Sequence, residues 1–403
     1  MEKEFIFSGF SSLAIHAGHQ EESTHAHVTP VYASSSYVFD NAEQGMKRFS
    51  GEEKGYKYAR FGHPNASEAE QKIAAMEGFN HGSKSIPLKA ILHSSGMAAI
   101  STLMFMNLKK GQKVLTHYSL YGGTDELLEK ILPAFDVTAI VTNLNDHESI
   151  EDILKKDKSI RMVYVETPSN PTIRCINIEA VTEIAKRYNV LVACDNTVAT
   201  PYLQRPFQYD VDFVVHSTTK FLNGHGTSIG GILIGKDIEL MNSKGLNTHY
   251  LLGAGSSPFD TFLLMNGIKT LELRMKQHCS NAERVAAFLN EHHAVSVVNY
   301  NGLSAHPDYE ISKKQMLRAG AILSFELKGG LSAGKEFIDA LKMCTRAVSL
   351  GTCDTLVSHP ASMSHAGVPK NTREKYGITD GLIRMSVGIE NIEDILTDLD
   401  QSL

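Results

Sequence analysis

A chain of 403 residues with 42% hydrophobic and 21% charged residues has the balance of an ordinary globular protein, with room for two or three domains. Its formal net charge of -6 gives no electrostatic basis for nucleic acid or an anionic membrane as partner, and no apolar run reaches transmembrane length. The N-terminal MEKEFIFSGF lacks the basic-then-apolar pattern of a secretory signal, so the expected setting is cytoplasmic. The first sixty residues show no sustained periodicity and read as an extended arm, residues 1–60. From about Leu88 short apolar runs alternate with helical stretches. AILH (90–93) reads as a strand and Met97 to Leu108 as a helix. KVLTH (113–117) is a strand followed by a helix from about Thr124; VTAIV (137–141) is a strand, with helix after Asn145. RMVYVE (161–166) is a strand, and IEAVTEIAKRY (178–188) a helix with apolar positions three and four apart. VLVACD (190–195), DFVVHS (212–217) and GGILIG (230–235) are three more strands. Strands alternating with helices predict an α/β protein with a mainly parallel, doubly covered sheet spanning 61–256. LGAGSSPF (252–259) is rich in Gly and Ser and marks a boundary. Beyond it, at 257–403, a long helical pattern over 259–292, AILSFEL (321–327), a helix through about Leu341, LIRMSV (382–387) and a helix from near Ile392 predict a smaller α+β domain.

Five cysteines (Cys175, Cys194, Cys279, Cys344, Cys353) are scattered without CxxC spacing and read as reduced thiols. The histidines of HAGHQEESTHAH (16–27) match no ligand pattern. They read as polar surface, and no metal is expected.

In an α/β sheet, ligands sit outside the carboxyl ends of the strands, and those ends carry distinct chemistry here. Ser95-Gly96-Met97 opens a helix, where free backbone N–H groups suit a phosphate. Ser217 and Thr219, two residues apart, offer hydroxyls to the same anion. Lys220 follows a buried strand, and partial burial lowers a lysine's pKa and exposes a nucleophilic amine able to bond a carbonyl. Asp195 ends its strand with a carboxylate suited to a cationic ring nitrogen, and Tyr121 stands at another strand end as a stacking face. An amine for an aldehyde, an anion site for a phosphate and an acid for a pyridinium nitrogen are the three needs of pyridoxal phosphate. The glycines of Asn223-Gly224-His225-Gly226 are expected to let the chain turn close to it.

The motifs SSGMAAI, LYGGT, YVETPSNPT, CDNT, HSTTKFLNGH, SPFD…GIKTLELRM and SLG…HPASMSH together resemble the Cys/Met-metabolism group of pyridoxal-phosphate enzymes, which includes cystathionine γ-lyase, cystathionine γ-synthase, methionine γ-lyase and O-acetylhomoserine sulfhydrylase. The resemblance implies the aspartate-aminotransferase-like fold (fold type I), with a seven-stranded sheet, in a homotetramer built as a dimer of dimers. It implies Lys220 as the lysine bonded to the cofactor aldehyde, Asp195 on the ring nitrogen and Tyr121 stacked on the ring and moving protons. It implies Gly96, Met97, Ser217 and Thr219 at the phosphate, with Glu166 and Thr197 near the ring. Tyr58 and Arg60 resemble a Tyr-x-Arg pair that reaches the phosphate of a neighbouring subunit. Arg384 resembles the arginine that clamps the substrate carboxylate, with Asn170 and Ser349 lining that pocket.

Four sites depart from subfamily patterns. Gly123 stands where methionine γ-lyases carry a cysteine, and His249-Tyr250 where they carry Lys-Asp. Val348 replaces the glutamate that cystathionine γ-lyases place before the SLG serine, so no charge is offered to a distal amine. His63-Pro64-Asn65 replaces the usual Asn-Pro-Thr after Arg60. The expected activity is γ-elimination on methionine, homocysteine or a related sulfur amino acid, giving 2-oxobutanoate, ammonia and a thiol; the alternatives are a γ-replacement enzyme (O-acetylhomoserine sulfhydrylase or cystathionine γ-synthase) and cystathionine γ-lyase.

Overall fold

The computed structural model describes residues 6–19, 24–80, 83–364, 366–367, 369–375 and 377–403. Seven strands form the larger sheet: β1 Lys89–His93, β2 Lys113–His117, β3 Thr138–Thr142, β4 Ile160–Glu166, β5 Leu191–Asp195, β6 Phe213–His216 and β7 Gly231–Gly235. Their order is β1-β7-β6-β5-β4-β2-β3. Only β7 runs against its neighbours, pairing antiparallel with both β1 and β6. The parallel strands alternate strictly between two cores. Val163, Val165, Val192 and Val214 face one apolar cluster, while Met162, Tyr164, Ala193, Phe213 and Val215 face another on the opposite side. Both faces are dry, which is why these strands read as unbroken apolar runs. The helix Gly96–Asn107 covers the second face with Leu103 and Met104; the helix Pro64–Glu77 covers the first with Ile73 and Met76.

A second, five-stranded sheet has β8 Val295–Asn299, β9 Ile322–Leu327, β10 Thr345–Arg346, β11 Leu356–Ser358 and β12 Leu382–Ser386, in the order β10-β11-β12-β9-β8. The helix Leu271–Glu291 joins the two bodies: Leu271, Met275 and Cys279 pack in the core of the large sheet, and Ala282, Val285 and Leu289 in that of the small one.

The helical pattern expected over 259–292 is two helices, Pro258–Ile268 and Leu271–Glu291. The break has a local cause. The Gly267 carbonyl accepts from the Thr270 N–H at 3.2 Å and from the Arg274 guanidinium at 2.7 Å, so it is drawn off the regular ladder. Among the described residues of the first sixty, two α-helices form, Phe10–His16 and Ala42–Ser50. The first is held by docking rather than by its own seven residues: Phe10, Leu13 and Ala14 are buried in the main core, and the Lys72 ammonium donates to the Ile15 carbonyl at 2.7 Å. His63-Pro64-Asn65 builds a sound turn. His63 Nδ1 caps the following helix by accepting from the Ala66 N–H at 3.2 Å, Pro64 takes the first helical position, and Asn65 bonds the backbone of Tyr32 and Pro30.

All five cysteines are unpaired. Among the described residues no three metal-ligating side chains cluster, and no helix is long and apolar enough to cross a membrane. Residues 20–23 of the histidine-rich stretch lie outside the described residues.

Candidate active site

The carboxyl ends of β4, β5 and β6 bring Glu166, Asp195 and the Ser217–Lys220 turn side by side. Glu166 and Asp195 are register partners on adjacent parallel strands, so their side chains leave the same face, the face of Tyr164 and the helix Gly96–Asn107. Exposure alternates along these ends. Asp195, Thr197, Ser217, Thr219 and Lys220 keep a partly accessible surface, whereas Cys194, Asn196, Val198 and Thr218 between them are buried. The candidate residues are therefore the ones that line an opening.

Asp195 accepts from the Thr197 N–H at 3.0 Å and from the Tyr164 hydroxyl at 3.2 Å. Among the described residues it forms no ion pair, so a partly accessible carboxylate is anchored by two neutral donors and left without a cation. Burial raises its pKa, opposed by the Thr197 bonds. Glu166, beside it, is pushed up to about 8 by burial and by the Asp195 charge. It accepts from the Tyr121 N–H at 2.7 Å, which ties Tyr121 to the acid pair.

Lys220 Nζ donates to the Ser349 hydroxyl at 2.9 Å. Burial brings the amine down to about 8, and the Arg384 guanidinium adds to the effect. Ser349 holds a positive φ of 125°, a strained backbone for a residue with a Cβ, and its carbonyl accepts from Arg384 Nη2 at 2.6 Å. Arg384 is 6% exposed; its Nε has no hydrogen-bond partner, and it makes no ion pair among the described residues. Asn170 Oδ1 is likewise buried and unpartnered.

Ser217 packs against the start of the helix Gly96–Asn107: a Cβ on Gly96 would lie 2.9 Å from the Ser217 Cβ. Its N–H donates to the Thr197 hydroxyl at 2.8 Å. The Thr219 hydroxyl is engaged elsewhere, accepting from the Gly230 N–H at 3.0 Å and facing the Gly230 carbonyl at 3.2 Å. Tyr121 is half-exposed, and Met97 lies close to it: a Cβ on Gly123 would meet Tyr121 Cε1 at 2.7 Å and Met97 Sδ at 3.0 Å. Glycine at 123 is thus what leaves the Tyr121 ring its present place.

Tyr58 and Arg60 are not brought to this cluster. Both are exposed, Arg60 donates to the Tyr250 carbonyl at 3.0 Å, and their rings and charges meet Phe61 instead. Gly224 has a φ of 71°, and a Cβ there would fall 2.0 Å from Arg274 Nη1. The missing side chain admits the Arg274 guanidinium, which donates to the Phe221 carbonyl at 2.8 Å, so this glycine lets the helix Leu271–Glu291 dock on the loop. Sequence reasoning missed Tyr164, whose only signal was one phenol inside an apolar strand.

The residues fit a pyridoxal ring and its phosphate: an accessible carboxylate lacking a cation, an amine with a lowered pKa, a helix start open to an anion and a buried guanidinium without a carboxylate. The solved structures agree. The chain superposes on cystathionine gamma synthase from Xanthomonas oryzae pv. oryzae with a TM-score of 0.90, at 34% identity over 98% of this chain and 97% of that one. It belongs to the Cys/Met metabolism PLP-dependent enzyme family, whose sequence profile matches residues 11–403. It is 45% identical to L-methionine gamma-lyase of Fusobacterium nucleatum subsp. nucleatum, over 98% of each chain. It is also 39% identical to cystathionine beta-lyase of Lactococcus lactis subsp. cremoris, over 96% of this chain and 97% of that relative.

Proposed function

We propose that this chain is a carbon–sulfur lyase that removes the γ-substituent of methionine, homocysteine or a related amino acid, giving 2-oxobutanoate, ammonia and a thiol. The observation that carries the reading is Lys220, an amine held near 8 by burial and hydrogen-bonded to Ser349, at the same carboxyl end of adjacent strands β5 and β6 as the unpaired Asp195 carboxylate. Pyridoxal phosphate, when bound, supplies an aldehyde for an amine and a protonated ring that draws off the electrons left at the substrate Cα. Lys220 Nζ would hold that aldehyde and, once freed by the substrate amine, would accept the Cα proton; an amine pulled below the ordinary lysine range is suited to that. The Ser349 hydroxyl orients Nζ. Asp195, anchored by Thr197 and Tyr164, keeps the ring nitrogen protonated. Ser217, Thr219 and the N–H groups of Gly96 and Met97 hold the phosphate, and Thr219 gives up its bond to Gly230 to do so.

Tyr121 stacks on the ring and protonates the departing sulfur. Arg384, with Asn170 and Ser349, receives the substrate carboxylate, and its unpartnered Nε is the donor left for it. Val348, next to Ser349 and 58% exposed, offers an apolar surface to the substrate side chain and no charge to a distal amine. The relatives' names fit that choice. Gly123 and His249-Tyr250, which depart from methionine-lyase patterns, favour γ-replacement as the second reading. Incubation with methionine, scored for 2-oxobutanoate and thiol, tests the first; no keto acid from methionine, with thiol-dependent turnover of O-acetylhomoserine, selects the second.

We further infer a cytoplasmic homotetramer, a dimer of dimers in which Tyr58 and Arg60 of one copy complete the phosphate site of the next. Its support is that this pair contacts Tyr250 and Phe61 rather than Lys220 or Ser349, together with exposed apolar side chains at Val38, Met46, Phe49, Leu251 and Phe259.

A further inference from the structure

The face of the large sheet opposite the candidate site carries a polar network that the chemistry above does not use. Glu77, the last residue of the helix Pro64–Glu77, and His216, the last of β6, have fully buried side chains. Glu77 Oε1 receives His216 Nε2 at 2.6 Å and the Asn196 side-chain amide at 2.8 Å. The same Asn196 amide reaches the Gln204 carbonyl at 2.8 Å. Gln204 Nε2 in turn donates to Asn196 Oδ1 at 3.0 Å and to the Thr167 carbonyl at 3.1 Å.

The places of these partners in the chain matter. Thr167 follows Glu166, Asn196 follows Asp195, and His216 precedes Ser217. The backbone ladders stop here, at Glu166↔Asp195 between β4 and β5 and at Asp195↔Val215 between β5 and β6. Where the ladder ends, this network continues the lateral tie between the same three strands. His216 lies one residue beyond the Val214–Val215 alternation and so points to the face of the helix Pro64–Glu77, while Asp195 and Glu166 point to the other. A buried polar network of this kind adds little stability beyond what apolar side chains of equal volume supply, and its best-attested use is to specify one geometry.

We propose that Glu77 is a positioning residue: one carboxylate oxygen ties the ends of β5 and β6 directly, and that of β4 through Asn196 and Gln204, and so fixes the separation of Asp195 from the Lys220 turn on the opposite face. The inference rests on the cofactor site proposed above. Glu77 Oε2 has no hydrogen-bond partner, so Glu77→Gln keeps the doubly accepting oxygen and removes the charge, whereas Glu77→Ala removes both.

The test is the dissociation constant of pyridoxal phosphate from the reconstituted apoprotein, read from the visible absorbance that depends on Lys220, beside the melting temperature of each apoprotein. E77A weakens binding about tenfold or more, and E77Q stays within about threefold of wild type. Gln204→Met, which removes the side-chain bonds to Thr167 and to Asn196 Oδ1 and leaves the Glu77 contacts in place, weakens binding about threefold while melting within a few degrees of wild type. A folded E77A that binds as tightly as wild type overturns the proposal. So does an E77Q as weak as E77A, which places the effect in the charge. Should E77A not fold, Q204M decides, and unchanged binding there overturns it. Failure of the wild-type protein itself to give a Lys220-dependent band refutes the cofactor site instead.

Discussion

Asp195→Asn isolates the charge at the ring nitrogen. The asparagine keeps Oδ1 for the Thr197 N–H, now at 3.0 Å, and its amide can donate to the Tyr164 oxygen, now at 3.2 Å from the carboxylate. Geometry is conserved and one negative charge is lost. Removing one member of a buried charge pair costs about 3–5 kcal/mol, and kcat/KM for methionine therefore falls at least about 100-fold. The apoprotein pays no such cost, since Asp195 has no cation there; its melting temperature holds. The assay is steady-state keto-acid production at saturating cofactor, with thermal melts of both apoproteins. A D195N enzyme within about threefold of wild type would refute the placement of a cationic ring nitrogen at this carboxylate.

Glu166 has a folded pKa raised to about 8, so it binds its proton more tightly folded than unfolded, and the stability it lends is present in acid and lost as pH rises through about 8. E166Q, neutral throughout and still able to accept from the Tyr121 N–H, should make the apoprotein more stable than wild type by more than about 1 kcal/mol above pH 8 but not at pH 4–5, by denaturant melts. Lys220 has its pKa lowered to about 8, so the folded apoprotein bears a poorly solvated charge below that pH. Lys220→Met should raise apoprotein stability at pH 7 by about 2–3 kcal/mol, an advantage that shrinks as pH rises from about 8 towards 10.5, where unfolded lysine also deprotonates. Inactive R60A and K220A proteins, co-expressed and purified as hybrids through two different tags, should regain keto-acid production, because one site per mixed dimer then has both residues; hybrids as inactive as the parents would remove Arg60 from the neighbour's site.

The parallel sheet was legible because both its faces are dry: Met162–Val165 and Val192–Cys194 read as continuous apolar runs. The strand-end chemistry was legible for the same reason, since Asp195 and Lys220 interrupt or follow such runs. The short strands β8, β10 and β11 were not. β8, an edge strand, is half-exposed, and β10 has two residues, so their pairing is set by partners distant in sequence. The helix Phe10–His16 is invisible locally because its stability comes from Lys72 and the core it docks on. Glu77 and Gln204 resisted reading for a different reason. A glutamate at the end of a helix and a glutamine in a loop are ordinary surface residues until the fold closes over them.

The central claim is a covalent one. Borohydride reduction of the holoenzyme, followed by proteolysis and mass spectrometry, should fix a single phosphopyridoxyl group on Lys220 and none elsewhere in the chain. A label on another lysine, or an enzyme that turns over sulfur amino acids and takes no label, would contradict the account.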